Sequence, residues 1–348
     1  MGAEPLVVCL GFPASHDARY VERLGALEGV EPVILPVDPA GDWAGVAPGE
    51  PHPEPPEWAQ GQAEARRAAL ARANVLVALH TPERLLELAP ELRWIQGIGA
   101  GVEQFARAGA TRERVVVTNA SGVSSPSMAE WVVGRLLQVW KRFRETDEFQ
   151  QRHEFTRSYG RTFAGSTIGI VGLGSIGVAV SERVRAFGCR VLGLKRSARP
   201  GDVSEHADAL YAPDQLHELL GECDAVVVAA PATPETRHLI DARALAAMPA
   251  HAVLVNVARG SLLDEAALAE AMREESIAAA VLDVFDPEPL APESPLWDLP
   301  GVYVSAHSAV SIDRYMDDVF DLLIDNVKRR LAGESLRNVV DMAALGFD

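Results

Sequence analysis

The sequence predicts an α/β protein whose two domains each hold a parallel sheet covered by helices on both faces. Three observations predict it. Short apolar runs alternate with helix-length segments along the 348 residues, the order that builds parallel sheets. Several runs, 225–229 among them, are apolar at successive positions, as strands buried on both faces must be. A glycine-rich turn then sits between a strand and a helix near the middle of the chain.

In chain order, 6–12 reads as a buried strand, 18–27 as a helix and 32–37 as a strand. From 38 to 58 prolines and glycines dominate (Pro48, Pro51, Pro53, Pro55, Pro56) without a repeat, which reads as a surface loop. Helix 64–73, strand 75–79, helix 81–88 and strand 92–98 follow. That strand runs into Gly97-Ile-Gly-Ala-Gly101, either a simple turn or a nest whose N–H groups at Ala100 and Gly101 take a small anion. After a short strand at 115–118, Ser125-Pro126-Ser127 opens a helix over 128–143. Trp131, Val132, Leu136, Val139 and Trp140 make it apolar on more than one side, which calls for cover all round, in part from a second subunit. Residues 144–161 form a polar, charged connection.

The segment from Thr167 to Ser197 organises the rest. Ile168, Ile170 and Val171 make a strand that leads straight into Gly172-Leu-Gly174-Ser-Ile-Gly177. A helix follows with Ile176, Val180, Val184 and Phe187 on one face, Gly188 stops it, and 190–194 is a second strand. Gly172 suits a tight turn, Gly174 a close approach of backbone to pyrophosphate, and Gly177 close packing of helix on strand. The N–H groups of Ser175, Ile176 and Gly177, at the positive end of the helix dipole, suit phosphate. Where an NAD site places a carboxylate for the ribose hydroxyl, this chain has Lys195, Arg196 and Ser197. They read as a 2′-phosphate site, hence NADP(H) preferred with NAD(H) possible, or as a solvated surface cluster.

Helices at 216–220, 242–247 and 265–274 then alternate with strands at 225–229, 253–257, 279–284 and 302–305, before a last helix at 317–331. The layout is a Rossmann-type doubly wound parallel sheet (126–312) inserted into a smaller flavodoxin-like α/β substrate domain (1–125 and 313–348). A net charge of −17 argues against nucleic acid and anionic membrane as partners. Three cysteines without metal-like spacing read as reduced thiols in a cytoplasmic protein with no metal site. The start carries no basic-then-apolar signal segment, and no apolar run reaches the length of a membrane span.

Ligands of such sheets bind beyond the carboxyl ends of the strands. Arg259, Asp283 and His307 follow three of them, with Glu288 close behind Asp283. Alone, each has an ordinary structural reading; together, beyond a dinucleotide fingerprint, they suit carbonyl reduction. His307 can give and retake a proton near neutrality, and a partner carboxylate, Glu288, favours its charged form. Arg259 offers a planar fork to a 2-oxo acid.

These motifs together resemble the D-isomer-specific 2-hydroxyacid dehydrogenase family. The resemblance rests on the fingerprint at 172–177, Pro231-Ala-Thr-Pro-Glu-Thr-Arg-His-Leu-Ile, and Asn256-Val-Ala-Arg-Gly-Ser-Leu-Leu-Asp-Glu. It rests also on Leu282-Asp-Val-Phe-Asp-Pro-Glu-Pro-Leu, Ala-His-Ser around His307, and the closing 326–341. It implies reduction of a small 2-oxo acid, glyoxylate or hydroxypyruvate first, to the D-2-hydroxy acid. It implies Arg259 on the substrate, Glu288 and His307 as acid–base pair, and substrate contact from Ala100 and Gly101. Pro231, Val257, Ala258, Arg259, Asp283 and His307 would flank the cofactor, Asp283 near the carboxamide, in a homodimer built on the cofactor domain. The chain departs from the pattern at Lys195, as NADP-preferring members do, and at Ala306, where a proline is usual. Glu288 argues against the formate dehydrogenases, which carry glutamine there, and 348 residues leave no room for the regulatory domain of many phosphoglycerate dehydrogenases. From another class, a dehydrogenase-like corepressor would bind the cofactor without turnover.

Overall fold

The computed structural model describes residues 4–36, 60–82, 84–110, 114–199 and 202–343, so the proline-rich stretch 38–58 lies outside the described residues. The chain forms two compact units, 1–123 with 312–348, and 124–311.

The first unit carries β1 (Leu6–Leu10), α1 (Ala18–Gly25), β2 (Val30–Ile34), α2 (Gln60–Arg72), β3 (Val75–Ala78), α3 (Leu85–Leu88), β4 (Trp94–Gly97), α4 (Glu103–Arg107) and β5 (Val116–Thr118). The C-terminal helix Tyr315–Leu331 returns to it. All its strands pair in parallel in the order β2-β1-β3-β4-β5, which is the flavodoxin order. Successive strand residues point to opposite faces, so each face has its own core. Leu76, Ile95, Phe105 and Val117 fill one, and Val77, Trp94, Phe320 and Leu323 the other, where Tyr20 stacks on Phe320 at 3.9 Å. Between β4, β5 and the C-terminal helix runs a buried polar network. Trp94 Nε1 donates to Thr118 Oγ1 at 2.7 Å, and Thr118 Oγ1 to Gln96 Oε1 at 2.9 Å. Asn326 Nδ2 donates to Gln96 Oε1 at 3.2 Å and its Oδ1 accepts the Arg337 N–H at 2.7 Å. Buried polar atoms of this kind are tolerated because each finds a partner.

The second unit opens with α5 (Ser125–Trp140) and α6 (Phe143–Gln151). Then come β6 (Thr167–Val171), α7 (Ser175–Ala186), β7 (Arg190–Leu194), β8 (Ala209–Tyr211), α8 (Leu216–Gly221) and β9 (Ala225–Val228). It closes with α9 (Ala242–Ala247), β10 (Val253–Asn256), α10 (Glu265–Arg273), β11 (Ala279–Leu282) and β12 (Val302–Val304). The order β8-β7-β6-β9-β10-β11-β12 is the Rossmann order with one strand added at its far edge. The register is as informative as the order. Leu194, Val171, Val228, Asn256, Leu282 and Val304 pair in turn across six strands, so those strands end level.

Sequence periodicity missed three elements and misplaced one side chain. In α6 no residue is buried, so it has no apolar stripe to find. Both α4 and β8 are too short, at five and three residues, to show a period. Phe187, expected on the buried face of α7, is its C-cap residue; it is 46% exposed and stands edge-on to Phe163. Among the described residues no helix is long and apolar enough to cross a membrane.

Candidate active site

The glycine turn between β6 and α7 has the shape its spacing requires. Gly172 has φ 105°, and a Cβ there would lie 2.6 Å from the Ala230 nitrogen. A Cβ on Gly177 would lie 2.1 Å from the Gly172 oxygen, so only glycine lets the helix approach the turn. Gly174 is the opposite case: a Cβ there would meet nothing within 4 Å. It caps α7 with no side chain, so nothing from the cap residue covers the main chain of the first helical turn, where a phosphate would sit. That open cradle is what the pyrophosphate of a dinucleotide needs, and the residues fit it.

One residue past β7, Lys195, Arg196 and Ser197 are all exposed, and neither cation makes an ion pair among the described residues. Glu235 has its carboxyl held below the usual range by the Thr233 hydroxyl first, with Arg196 among the further causes. Arg196 at the end of β7 is thus felt by Glu235 in the turn that follows Pro231, itself exposed beyond β9.

Beyond β10, Asn256 shapes the turn: its Oδ1 accepts the Ala258 N–H at 3.1 Å and its Nδ2 donates to the Arg259 oxygen at 3.0 Å. Val257 and Ala258 bury their side chains and offer a ligand only main chain. Arg259 is half-buried; its Nη1 donates to the Ala258 oxygen at 2.7 Å, and no carboxylate pairs with it among the described residues. Gly260 brings the next loop into contact, since a Cβ on it would lie 1.9 Å from the Phe285 carbonyl carbon.

Beyond β11 and β12 the loops are tied to each other. Asp283 is 2% exposed, and its carboxylate accepts from Ser305 Oγ at 2.6 Å, Ser308 N at 2.9 Å and Ala309 N at 3.0 Å. Its oxygen also takes the His307 N–H at 2.8 Å. What Asp283 does in this fold is brace the histidine loop; its side chain is fully engaged by protein donors. The brace has strain to hold, because His307 has φ 48°, in the left-handed region that non-glycine residues avoid. The ring meets its expected partner: His307 Nδ1 lies 2.9 Å from Glu288 Oε2, with Ala306 in place of the proline. The second oxygen of Glu288, Oε1, accepts the Phe285 N–H at 3.0 Å.

In the first unit, the loop after β4 has its carbonyls tied down one by one. Ile98 accepts from the Tyr315 hydroxyl, Gly99 from Ala120 N at 2.8 Å, Ala100 from Asn119 Nδ2 at 2.8 Å and Gly101 from Gln104 Nε2 at 3.4 Å. The N–H groups of Gly99, Ala100 and Gly101 have no acceptor among the described residues. Burial pushes the Tyr315 phenol up, which keeps it a donor. These consecutive unbonded N–H groups are the feature an anion-binding loop and a solvated turn share.

Sequence reading named Arg259, Asp283, Glu288 and His307 as site residues, quoted Asn256 and Gly260 only as part of a motif, and missed Tyr315. A signal existed for Asn256, a polar residue inside an otherwise apolar strand. None existed for Tyr315, whose partner Ile98 lies on a distant segment.

A Rossmann sheet with an open glycine cradle at one strand end and an imidazole–carboxylate pair at another is that of a dinucleotide-binding oxidoreductase. The family profile for "D-isomer specific 2-hydroxyacid dehydrogenase, NAD binding domain" matches residues 133–309, and the chain belongs to that family. It is 35% identical over 74% of its length to the D-3-phosphoglycerate dehydrogenase of Methanocaldococcus jannaschii, of which the match covers 49%. The chain thus spans about half the length of such relatives. It is 32% identical over 77% of its length to the glyoxylate reductase of Korarchaeum cryptofilum, covering 82% of that enzyme. Among solved structures, the NADPH-dependent glyoxylate/hydroxypyruvate reductase of Sinorhizobium meliloti, in complex with NADP and sulfate, superposes with a TM-score of 0.76. It is 28% identical, and 98% of this chain and 99% of that one are covered.

Proposed function

We propose that this chain reduces a small 2-oxo acid to the D-2-hydroxy acid, with NADP(H) preferred over NAD(H). The observation that carries the reading is the 2.9 Å contact of His307 Nδ1 with Glu288 Oε2, at the far end of the strand row that begins at the glycine cradle. Glu288 engages Nδ1, so Nε2 is the ring atom left to give a proton to a carbonyl oxygen and to retake it in reverse. Arg259, with no carboxylate of its own, presents its fork to the carboxylate of the substrate. The N–H groups of Ala100 and Gly101 suit the same anionic class of ligand. When bound, the nicotinamide cofactor supplies the hydride that the carbonyl carbon receives. Gly172, Gly174, Ser175, Ile176 and Gly177 hold its pyrophosphate, and Pro231, Val257, Ala258 and the main chain at Asp283 flank the rest.

The preference for NADP(H) is supported by Lys195, Arg196 and Ser197, which put two unpaired cations and a hydroxyl where a carboxylate would repel a 2′-phosphate. The NADPH dependence of the Sinorhizobium relative agrees with it. Glyoxylate and hydroxypyruvate are the substrates named for the relatives and the first to try. A homodimer through the cofactor domain is supported by Phe143, Phe155 and Tyr159, large side chains exposed along α6 and the strap after it. A cytoplasmic setting is supported by three free cysteines, all buried, with burial pushing Cys9 and Cys223 to about 12 and Cys189 to about 11.

The test is a spectrophotometric panel of 2-oxo acids with NADPH and NADH, plus D-3-phosphoglycerate in the oxidative direction. Steady NADPH oxidation with glyoxylate or hydroxypyruvate supports the reading. Turnover confined to D-3-phosphoglycerate, or a clear preference for NADH, overturns the corresponding part of it.

A further inference from the structure

The Glu288 loop is gripped from a place that the chemistry above does not use. Glu265 Oε1 accepts the Asp286 N–H at 2.8 Å, reaching across 21 positions of the chain. Helix α10 does not need this carboxylate, because Asp264 Oδ1 already caps it by accepting the Ala267 N–H at 3.0 Å. Glu265 is half-buried and makes no ion pair among the described residues. Burial pushes its carboxyl up, the charges of Asp286 and Glu288 add to that, and the Asp286 N–H works against it. A half-buried carboxylate without a cation costs stability, and its one hydrogen-bond partner among the described residues, the Asp286 N–H, lies on the Glu288 loop.

The effect of that bond is visible in the turn that follows β11. The N–H of Phe285 goes to Glu288 Oε1 at 3.0 Å and the next N–H, of Asp286, goes to Glu265. On the same peptide Gly260 packs so closely that a Cβ would lie 2.4 Å from the Asp286 nitrogen. The peptide that precedes Glu288 is therefore held between Gly260 and Glu265. We infer that Glu265 is a positioning residue for the acid–base pair, setting through the Asp286 N–H the turn from which Glu288 reaches His307. The inference rests on the acid–base reading of Glu288 and His307.

The test compares Glu265→Ala with Glu265→Gln in the full chain, reading kcat, KM, NADPH affinity by nucleotide fluorescence, and Tm. Removing the acceptor in Glu265→Ala lowers kcat by about tenfold or more, since a small misplacement of catalytic groups is costly. NADPH affinity stays within about twofold, because the loss lies in the reacting groups. The folded state disfavours the charged form of Glu265, so its contribution to stability falls as pH rises past the ordinary carboxylate range, and the Tm change in either variant is limited to that of one lost hydrogen bond, a few degrees at most. Glu265→Gln keeps an acceptor oxygen and retains kcat to within about threefold. An Ala variant with kcat unchanged, a Gln variant as impaired as Ala, or a loss of kcat that comes with a fall in Tm of about ten degrees or more would each overturn the inference. His307→Gln is the control. If it too leaves turnover unchanged, the acid–base reading fails; if it abolishes turnover while Glu265→Ala does nothing, only the role of Glu265 fails.

Discussion

The two units present polar groups to a ligand in different ways. In the smaller one, the loop after β4 offers main-chain N–H groups at Gly99, Ala100 and Gly101, made available because every neighbouring carbonyl has been bonded away. In the larger one, the loops after β10, β11 and β12 offer side chains, Arg259, Glu288 and His307, held in place by buried or half-buried residues behind them. A side-chain site can be deleted with one substitution. A main-chain site cannot, and it yields only when a brace such as Tyr315 or Asn119 is removed. The contrast matches the work proposed for each. Holding an anion needs only fixed dipoles, whereas moving a proton needs a side chain that can both give and take one.

The substitutions that break or sharpen this contrast fall in a clear order. His307→Gln removes the imidazole and lowers kcat by about a hundredfold to ten-thousandfold in steady-state assays. NADPH affinity, read by nucleotide fluorescence, is unaffected by it; an unchanged kcat removes His307 from the acid–base role. Arg259→Ala deletes a charge-assisted contact and lowers kcat/KM by about tenfold to a hundredfold, mostly through substrate capture. An unaltered kcat/KM clears Arg259 of that duty. Replacing Lys195 by Asp sets a carboxylate where the cations stand, and shifts the ratio of NADPH to NADH kcat/KM towards NADH by about tenfold. No shift in that ratio means Lys195 is only a solvated surface charge. The smallest effect belongs to Tyr315→Phe, which frees the Ile98 oxygen by one hydrogen bond and raises KM for the 2-oxo acid by about fivefold with kcat little changed. A loss as large as that of Arg259→Ala, or confined to kcat, would show that the contrast is drawn wrongly.

How much of this could be read beforehand depends on the range of the interaction concerned. The turn at Gly172 and Gly177 is a matter of neighbours within a few residues, and sterics there leave only glycine. The strands of the second unit declare themselves by continuous apolarity, since both faces are covered. Helix α6 does not, because a helix with no buried residue has no stripe to show. The spacing of Phe187 puts it on the buried face of α7, but as C-cap residue it stands at the edge of the core, 46% exposed and edge-on to Phe163. For Asp283 a place beside the cofactor could be anticipated from resemblance, but its function as a brace could not. That depended on Ser305, Ser308 and Ala309 folding back over it from the next strand.

By itself the sequence determined the alternation of strands and helices, the glycine cradle, and which reactive residues stand just past strand ends, because these follow from short-range periodicity and local sterics. Only the tertiary structure decided that six strands end level, that Nδ1 of His307 meets Glu288, and that Gly260 and Glu265 close on the peptide before it. Those facts turn on which loops lie side by side. Sheet order and register settle that, and no residue carries it in its own neighbourhood of the chain.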